Sequence, residues 1–177
     1  MIGSNIGVEN YHPPLKVYGV IANPVCAQFS IAPGFQRTEA EAIDGMFLVN
    51  HCYRIINECQ PSSFWVIENP ATGLLKKFIG TPKNTYEPWE YGDPWTKRTA
   101  LWGRFNMPEK TYTDWDDVPK NDKLYIRPGR PKPGMAFLHK SAIKNIPAFD
   151  GIKVKDDMSF RSLCPQGFAN AFFEANR

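Results

Sequence analysis

Two short apolar segments on either side of one long helical segment constrain the fold of this chain more than any other feature. VYGVIA (17–22) and FWVIE (64–68) are the kind of β-branched and aromatic runs that form buried strands. Between them, Thr38 and Glu41 have the spacing of a capping box and predict a helix over about 39–59. A strand–helix–strand unit of this length predicts a right-handed crossover between two parallel strands. We therefore predict an α/β fold with a mainly parallel sheet flanked by helices.

Weaker patterns extend this unit toward the carboxyl terminus. TGLLKKFIG (72–80) predicts a short helix that ends at Gly80, and a further strand is expected at about 99–103. CPQGFANAFFEAN (164–176) predicts a terminal helix. The apolar residues expected to share one side are Ile43, Met46, Phe47, Tyr53 and Ile56 on the long helix, and Phe168, Ala171 and Phe172 on the terminal helix.

The length of 177 residues is that of one domain, and we predict a single domain over 1–177. Residues 1–16 are polar and predict an irregular lead-in. The core unit is expected over 17–105. Residues 106–134 are rich in proline, aspartate and lysine, and residues 134–157 show no clear hydrophobic periodicity. A loop-rich excursion is therefore predicted over 106–157. The final part, 158–177, carries the terminal helix.

Composition excludes several classes of protein. The formal net charge of +3 permits a polyanionic partner without requiring one. The four cysteines form no C-x-x-C pair and no zinc-like pattern with the three histidines, so we expect reduced thiols and no metal site. The amino terminus has no signal-peptide pattern, and no apolar run approaches the roughly 20 residues of a membrane span. A cytoplasmic protein without membrane contact is expected.

Chemically capable side chains follow both predicted strands of the core unit. Cys26 comes just after the first strand, and Glu68 lies at the end of the second. Both strands also end in an Asn-Pro pair, Asn23-Pro24 and Asn69-Pro70. Open α/β sheets bind ligands at the carboxyl ends of their parallel strands, so a thiol and a carboxylate should face one crevice there. A single cysteine at such a position is more often a small apolar filler, and that interpretation stays open.

Four segments in this order resemble the catalytic motifs of DNA cytosine-5 methyltransferases, especially the compact kind carried by phages. They are NPVCAQFS (23–30), WVIENP (65–70), YGDPWTKRTALWG (91–103) and RSLCPQGFANAFFEAN (161–176). The resemblance runs from Tyr18 to the carboxyl terminus and is weakest between 106 and 157. It implies a partial Rossmann-like class I methyltransferase domain that acts on DNA with S-adenosylmethionine as the methyl donor.

The resemblance also implies a role for individual residues. Cys26 would be the thiolate that adds to carbon 6 of a flipped cytosine, Glu68 would bind the N3 edge of that base, and Arg98 would stabilise its carbonyl oxygen or a phosphate. The residues implied to contact the substrate are Gln28, Ser30, Asn69, Lys97 and Thr99. Those implied to contact the cofactor are Asn23, Pro24, Ser162 and Asn170.

The resemblance covers the catalytic half of the family and not its amino-terminal cofactor unit, which carries a Gly-rich strand-turn. Only about 20 residues precede the first predicted strand, and they contain no such unit. Three explanations follow: a fragment of a longer protein, a second polypeptide or another copy that supplies the cofactor half, or a relative that binds without methylating. If the gene is phage-borne, the protein would act in the cytoplasm of the host.

Three other classes of function stay open at this point. An amino-methyltransferase would use an Asn-Pro-Pro motif, of which only Asn23-Pro24 is present. A non-catalytic module would bind nucleic acid or protein, for example as a phage counter-defence protein. A thiol hydrolase would pair Cys26 with His51 or His139.

Overall fold

The computed structural model describes residues 7–31 and 37–177. The chain divides into two compact units. Unit 1 contains the described residues up to Thr85, together with 99–106 and Asn176, and unit 2 contains Tyr86–Arg98, 107–175 and Arg177. The expectation of a single domain stays a prediction.

Unit 1 is built on a four-stranded sheet with the strand order β1-β2-β4-β3. The strands are β1 (Gly19–Ala22), β2 (Phe64–Pro70), β3 (Asn84–Tyr86) and β4 (Thr99–Arg104). β1 and β2 are parallel, as predicted, whereas β2 and β4 are antiparallel. The α/β class is therefore confirmed, and a mainly parallel sheet is not.

Helix α1 (Glu39–Cys59) connects the two parallel strands and matches its predicted bounds. Its amino terminus is fixed by the capping box, in which the Glu41 amide donates to the Thr38 hydroxyl and the Thr38 amide donates to the Glu41 carboxylate. The predicted side of α1 is confirmed in part: Ile56 is buried and Met46 and Tyr53 pack against the core, whereas Ile43 and Phe47 are more than half exposed. The fully buried residues of α1 are Ala42, Gly45, Val49, Ile56 and Cys59.

Gly45 lies where helix α1 contacts the chain segment after β1. A Cβ at this position would lie 2.6 Å from Gln28 Cβ and 3.0 Å from Phe29 Cζ. The helix therefore approaches the chain after β1 more closely than a larger residue would allow. The core of unit 1 forms around this contact from Phe29, Ala42, Val49, Ile56, Ile67, Leu75, Ala100 and Trp102.

Two strand predictions need correction. β1 is not fully buried: it lies at the edge of the sheet, and Ile21 is 62% exposed. β2 does not end at Glu68, because Asn69 and Pro70 continue the antiparallel pairing opposite Ala100 and Thr99. Glu68 therefore lies inside the strand rather than at its end.

Of the two other elements predicted for unit 1, the helix is shorter than its predicted range of 72–80 and the strand is close to its predicted range. The short helix is α2 (Lys76–Ile79), and Gly80 ends it with a left-handed φ of 84°. The strand expected at about 99–103 is β4, which extends by one residue to Arg104.

Unit 2 contains mainly short helical turns. The structure assigns 3-10 helices at Pro88–Tyr91, Trp115–Asp117, Met135–Phe137, Lys140–Asn145 and Pro147–Phe149, followed by α3 (Asp157–Arg161) and α4 (Gln166–Asn176). Within 106–157 the regular elements are thus short 3-10 helices separated by irregular segments. One core of this unit contains Trp95, Leu124, Met135, Leu138, Ile146, Phe149 and Phe160.

Helix α4 begins two residues later than predicted because Pro165 occupies its N-cap. Phe168 and Phe172 are buried as predicted, and the Phe168 ring stacks on Tyr86 with 3.6 Å between ring centroids. The first turn of α4 donates backbone N–H groups to a buried carboxylate, Asp93, with 2.9 Å between Gly167 N and Asp93 Oδ2. Burial raises the pKa of Asp93 to about 6, although the backbone N–H groups of Gly167, Phe168 and Gln166 act in the opposite direction.

The raised pKa of Asp93 predicts a specific dependence of stability on pH. Because the folded-state pKa of about 6 lies above the ordinary value of 3.8, ionisation of Asp93 opposes folding. The free energy of unfolding should therefore lose about 3 kcal/mol as pH rises from about 4 through about 6. Asp93→Asn removes this loss. Urea unfolding of both proteins between pH 4 and pH 7 measures the difference, and parallel curves for the two proteins would contradict it.

Candidate functional site

The carboxyl ends of β1 and β2 bring the first predicted site residues together. The parallel register pairs Ala22 with Ile67, which places the next residues, Asn23 and Glu68, side by side. Asn23 Nδ2 donates a hydrogen bond to Glu68 Oε2 over 2.7 Å. Glu68 is half-buried and Asn23 is exposed, so the paired carboxylate is open to solvent. The ends of β1 and β2 therefore lie next to each other at this pair, and the expected crevice shared by Cys26 and Glu68 stays a prediction.

Asn69 acts on the opposite side of β2 because side chains alternate along a strand. It is 1% exposed, and its Nδ2 donates to the carbonyl oxygen of Pro24 over 2.9 Å. The amide is thus used to hold the segment before Cys26. The buried Oδ1 has no hydrogen-bond partner in the described part of the chain.

Cys26 begins a four-residue 3-10 helix, Cys26–Phe29, which we call the cysteine turn. Cys26 is exposed, whereas Phe29 at the other end is fully buried in the core of unit 1. Leu74 N donates to the Phe29 carbonyl oxygen over 2.8 Å. A Cβ on Gly73 would lie 3.1 Å from that same oxygen, so the loop after β2 packs tightly against the turn. The turn is fixed by β2 and its loop at both ends.

Gln28 lies within the cysteine turn, and Ser30 follows it as its C-cap. Gln28 is exposed, and the base of its side chain packs on Gly45. Ser30 is half-buried, and its carbonyl oxygen accepts from the Arg37 backbone amide over 3.0 Å. The side chain of Arg37 also reaches the turn, since its Nε donates to the Ala27 carbonyl oxygen over 3.2 Å. Arg37 was not among the predicted site residues.

The thiol groups of the chain differ in their surroundings. Burial raises the pKa of the Cys52 and Cys59 thiols on α1, which makes them poor nucleophiles. Cys26 and Cys164 are exposed, and none of the four is in a disulfide. Exposure alone therefore does not separate Cys26 from Cys164, but the bracing of its turn by unit 1 does.

The predicted basic residues lie in the sequence just before β4 and belong to unit 2. Arg98 is exposed and belongs to unit 2, whereas Thr99 is fully buried in β4 opposite Pro70. The Lys97 backbone amide donates to Glu87 Oε2 over 2.9 Å, and its Nζ donates to the Leu163 carbonyl oxygen. Burial raises the pKa of Glu87 despite that amide and the positive charges of Arg98 and Lys132.

The residues predicted for the cofactor each have a local partner. Asn23 is bonded to Glu68, and Pro24 is buried with its carbonyl oxygen bonded to Asn69. In unit 2, Ser162 ends α3 by donating to the Ser159 carbonyl oxygen, and Asn170 accepts from Gln166 on the exposed side of α4. Asn23 and Pro24 belong to unit 1, and Ser162 and Asn170 belong to unit 2. The S-adenosylmethionine site expected from these four residues stays a prediction.

Other groups that could carry chemistry are engaged in structural contacts. His51 accepts from Arg54 Nε through Nδ1 and packs against Phe47, and His139 contacts Ser141 in unit 2. In the described ranges, no group of histidine, cysteine, aspartate and glutamate side chains is arranged to hold a metal ion. No described helix has the length and apolar character that a membrane span requires.

Comparison with known proteins adds no relative: no protein-family model matches the chain, and a search of curated proteins finds no match.

The two asparagines at this corner should contribute very differently to stability. Asn69→Ala leaves the Pro24 carbonyl without its buried donor and should lower the free energy of unfolding by about 1–3 kcal/mol. Asn23→Ala removes an exposed hydrogen bond and should cost less than about 1 kcal/mol. Urea unfolding of both variants measures the contrast. Equal losses would mean that the buried bond to Pro24 does not hold the corner.

Proposed function

We propose that this chain is the base-handling part of a DNA cytosine-5 methyltransferase-like enzyme. The observation that carries the proposal is the pair of hydrogen bonds between the two strand ends, Asn23 to Glu68 and Asn69 to Pro24. Together they join the segment before the exposed Cys26 to β2, the strand that carries the Glu68 carboxylate. A thiol and a carboxylate held by one rigid sheet edge are the two groups that nucleophilic activation of a pyrimidine requires.

The proposed chemistry begins with a cytosine flipped out of the duplex, since its ring atoms are inaccessible in the stack. The Cys26 thiolate forms a bond to carbon 6, and Glu68 as the acid gives a proton to N3. The electron pair displaced from the 5,6 double bond leaves carbon 5 nucleophilic. Reversal breaks the carbon–sulfur bond and returns the proton to Glu68.

Arg98 is proposed to stabilise the carbonyl oxygen of the base or a neighbouring phosphate. Its support is the resemblance of TKRTALWG to the family and the exposed guanidinium. For the methyl donor, we propose a second polypeptide, because the resemblance covers the catalytic motifs of the family and not its cofactor motif. The parallel β1–β2 pair connected by α1 supports a partial class I methyltransferase fold for unit 1.

The addition step can be tested without a methyl donor. An addition at carbon 6 allows carbon 5 to take a proton from water, and reversal then releases the original hydrogen. DNA incubated with the full chain in deuterium oxide should therefore gain deuterium at cytosine carbon 5, measured by mass spectrometry of nucleosides.

Variants identify the groups responsible for this exchange. Cys26→Ser should abolish it, and Glu68→Gln should slow it by about 10²–10⁴-fold. Cys164→Ser, which changes another exposed thiol, should leave it unchanged. Absence of exchange in the unmodified protein, or exchange that survives in Cys26→Ser, would contradict the proposal.

A second candidate function, binding of nucleic acid without catalysis, has support from unit 2. Residues 120–132, which we call the basic loop, contain five basic side chains and one acidic side chain. Aromatic rings lie beside these charges: Lys132 Nζ is 4.2 Å from the Trp89 ring centroid, and Lys120 Nζ is 4.3 Å from that of Trp115. Positive charge interleaved with aromatic rings is typical of surfaces that bind nucleic acid.

Charge removal tests the contribution of the basic loop. Arg127→Gln with Arg130→Gln removes two exposed charges and should weaken binding to a labelled oligonucleotide while lowering the salt slope by about 1–2. Lys76→Gln with Lys77→Gln removes two exposed charges from α2 and is the matched control. Fluorescence anisotropy over a salt series measures both. Equal effects of the two double variants would exclude the loop as the binding surface.

A further inference from the structure

Arg37 forms hydrogen bonds to the cysteine turn and to the residue that follows it. Its backbone amide donates to the Ser30 carbonyl oxygen over 3.0 Å, and its side-chain Nε donates to the Ala27 carbonyl oxygen over 3.2 Å. Ala27 is the residue directly after Cys26. A single residue therefore bonds both to Ala27 within the turn and to Ser30, the residue that caps it.

The same guanidinium is anchored to helix α1. Arg37 Nη1 lies 3.0 Å from Glu41 Oε1, and the other Glu41 oxygen accepts from the Thr38 amide over 2.8 Å. The capping box and the cysteine turn thus share one arginine. The planar guanidinium can direct Nε to a carbonyl and Nη1 to a carboxylate at once, which a lysine ammonium cannot reproduce with a fixed geometry.

Arg37 also changes the charge around the turn. The elements packed against the turn carry both signs: Glu39, Glu41 and Asp44 on α1, Glu68 on β2, and Lys76 and Lys77 on α2. Although Arg37 is paired with Glu41, its guanidinium bonds to the residue next to Cys26, where positive charge favours a thiolate.

From these contacts we propose that Arg37 is the positioning residue that holds Cys26 in its reactive geometry and favours its thiolate. The proposal rests on the proposed role of Cys26 as a nucleophile. It adds a residue that the sequence resemblance did not implicate, and it locates the support of the nucleophile at the capped end of α1.

The test measures thiol reactivity rather than methyl transfer. The full chain is alkylated with iodoacetamide across a pH series, and modification of each cysteine is followed by peptide mass spectrometry. In Arg37→Gln, alkylation of Cys26 at pH 7 should slow by about 3–10-fold and its pH profile should move to higher pH. Arg37→Lys, which keeps the charge and loses the fork, should fall between this variant and the unmodified protein.

Arg54 provides a matched control on the same helix. It pairs with Glu58 over 2.7 Å at the same i,i+4 spacing and donates to the carbonyl oxygens of Val8 and Tyr11. Arg54→Gln should leave the Cys26 pH profile unchanged. Alkylation of Cys164 in unit 2 is the internal reference and should not respond to either change.

The outcomes separate this inference from the proposed function. A Cys26 profile that is the same in Arg37→Gln and the unmodified protein, or that moves equally in Arg54→Gln, overturns the role of Arg37. If Arg37→Gln does not fold, the comparison of Arg37→Lys with Arg54→Lys decides the question in the same way. A shift specific to Arg37 without any deuterium exchange into cytosine supports the positioning role and contradicts the proposed chemistry. Deuterium exchange into cytosine without a shift of the Cys26 profile supports the proposed chemistry and contradicts the positioning role of Arg37.

Discussion

The parallel register of β1 and β2 is the constraint on which the candidate site depends. It sets Asn23 beside Glu68 on one side of the sheet and brings Pro24 within reach of Asn69 on the other. Because consecutive strand residues point to opposite sides, β2 presents a carboxylate to solvent and uses its next residue to fix the turn that carries Cys26. A slip of one residue would exchange these two roles, so the buried packing of Ile67 also protects the site.

Sequence predicted the elements whose determinants are local. The capping box of Thr38 and Glu41 acts over three residues, and the left-handed position of Gly80 acts within its own turn. The length of β2 depends instead on β4, about 30 residues later, whose pairing carries the strand through Asn69 and Pro70. In the same way, the exposure of Ile21 follows from the position of β1 at the sheet edge, which a single apolar run does not reveal.

The candidate site shows the same division between local and distant determinants. The proximity of the Asn23 and Glu68 segments follows from the strand–helix–strand order and could be predicted before any contact was known. Arg37 could not, because its bond to Ala27 closes a loop whose path the sequence does not specify. Its spacing of four residues before Glu41 was the available signal, and it indicates only a helix-end ion pair.

The structure also bears on whether Cys26 is an apolar filler or a nucleophile. A filler thiol belongs in a core, as Cys59 does, where burial raises its pKa. Cys26 is exposed, yet the carbonyl oxygens of Pro24, Ala27, Phe29 and Ser30 around it accept hydrogen bonds from Asn69, Arg37 and Leu74. The same hydrogen bonds serve the core, because they fix the turn whose last residue, Phe29, is fully buried. For the proposed nucleophile they would also hold the sulfur in one position while leaving it accessible to the base.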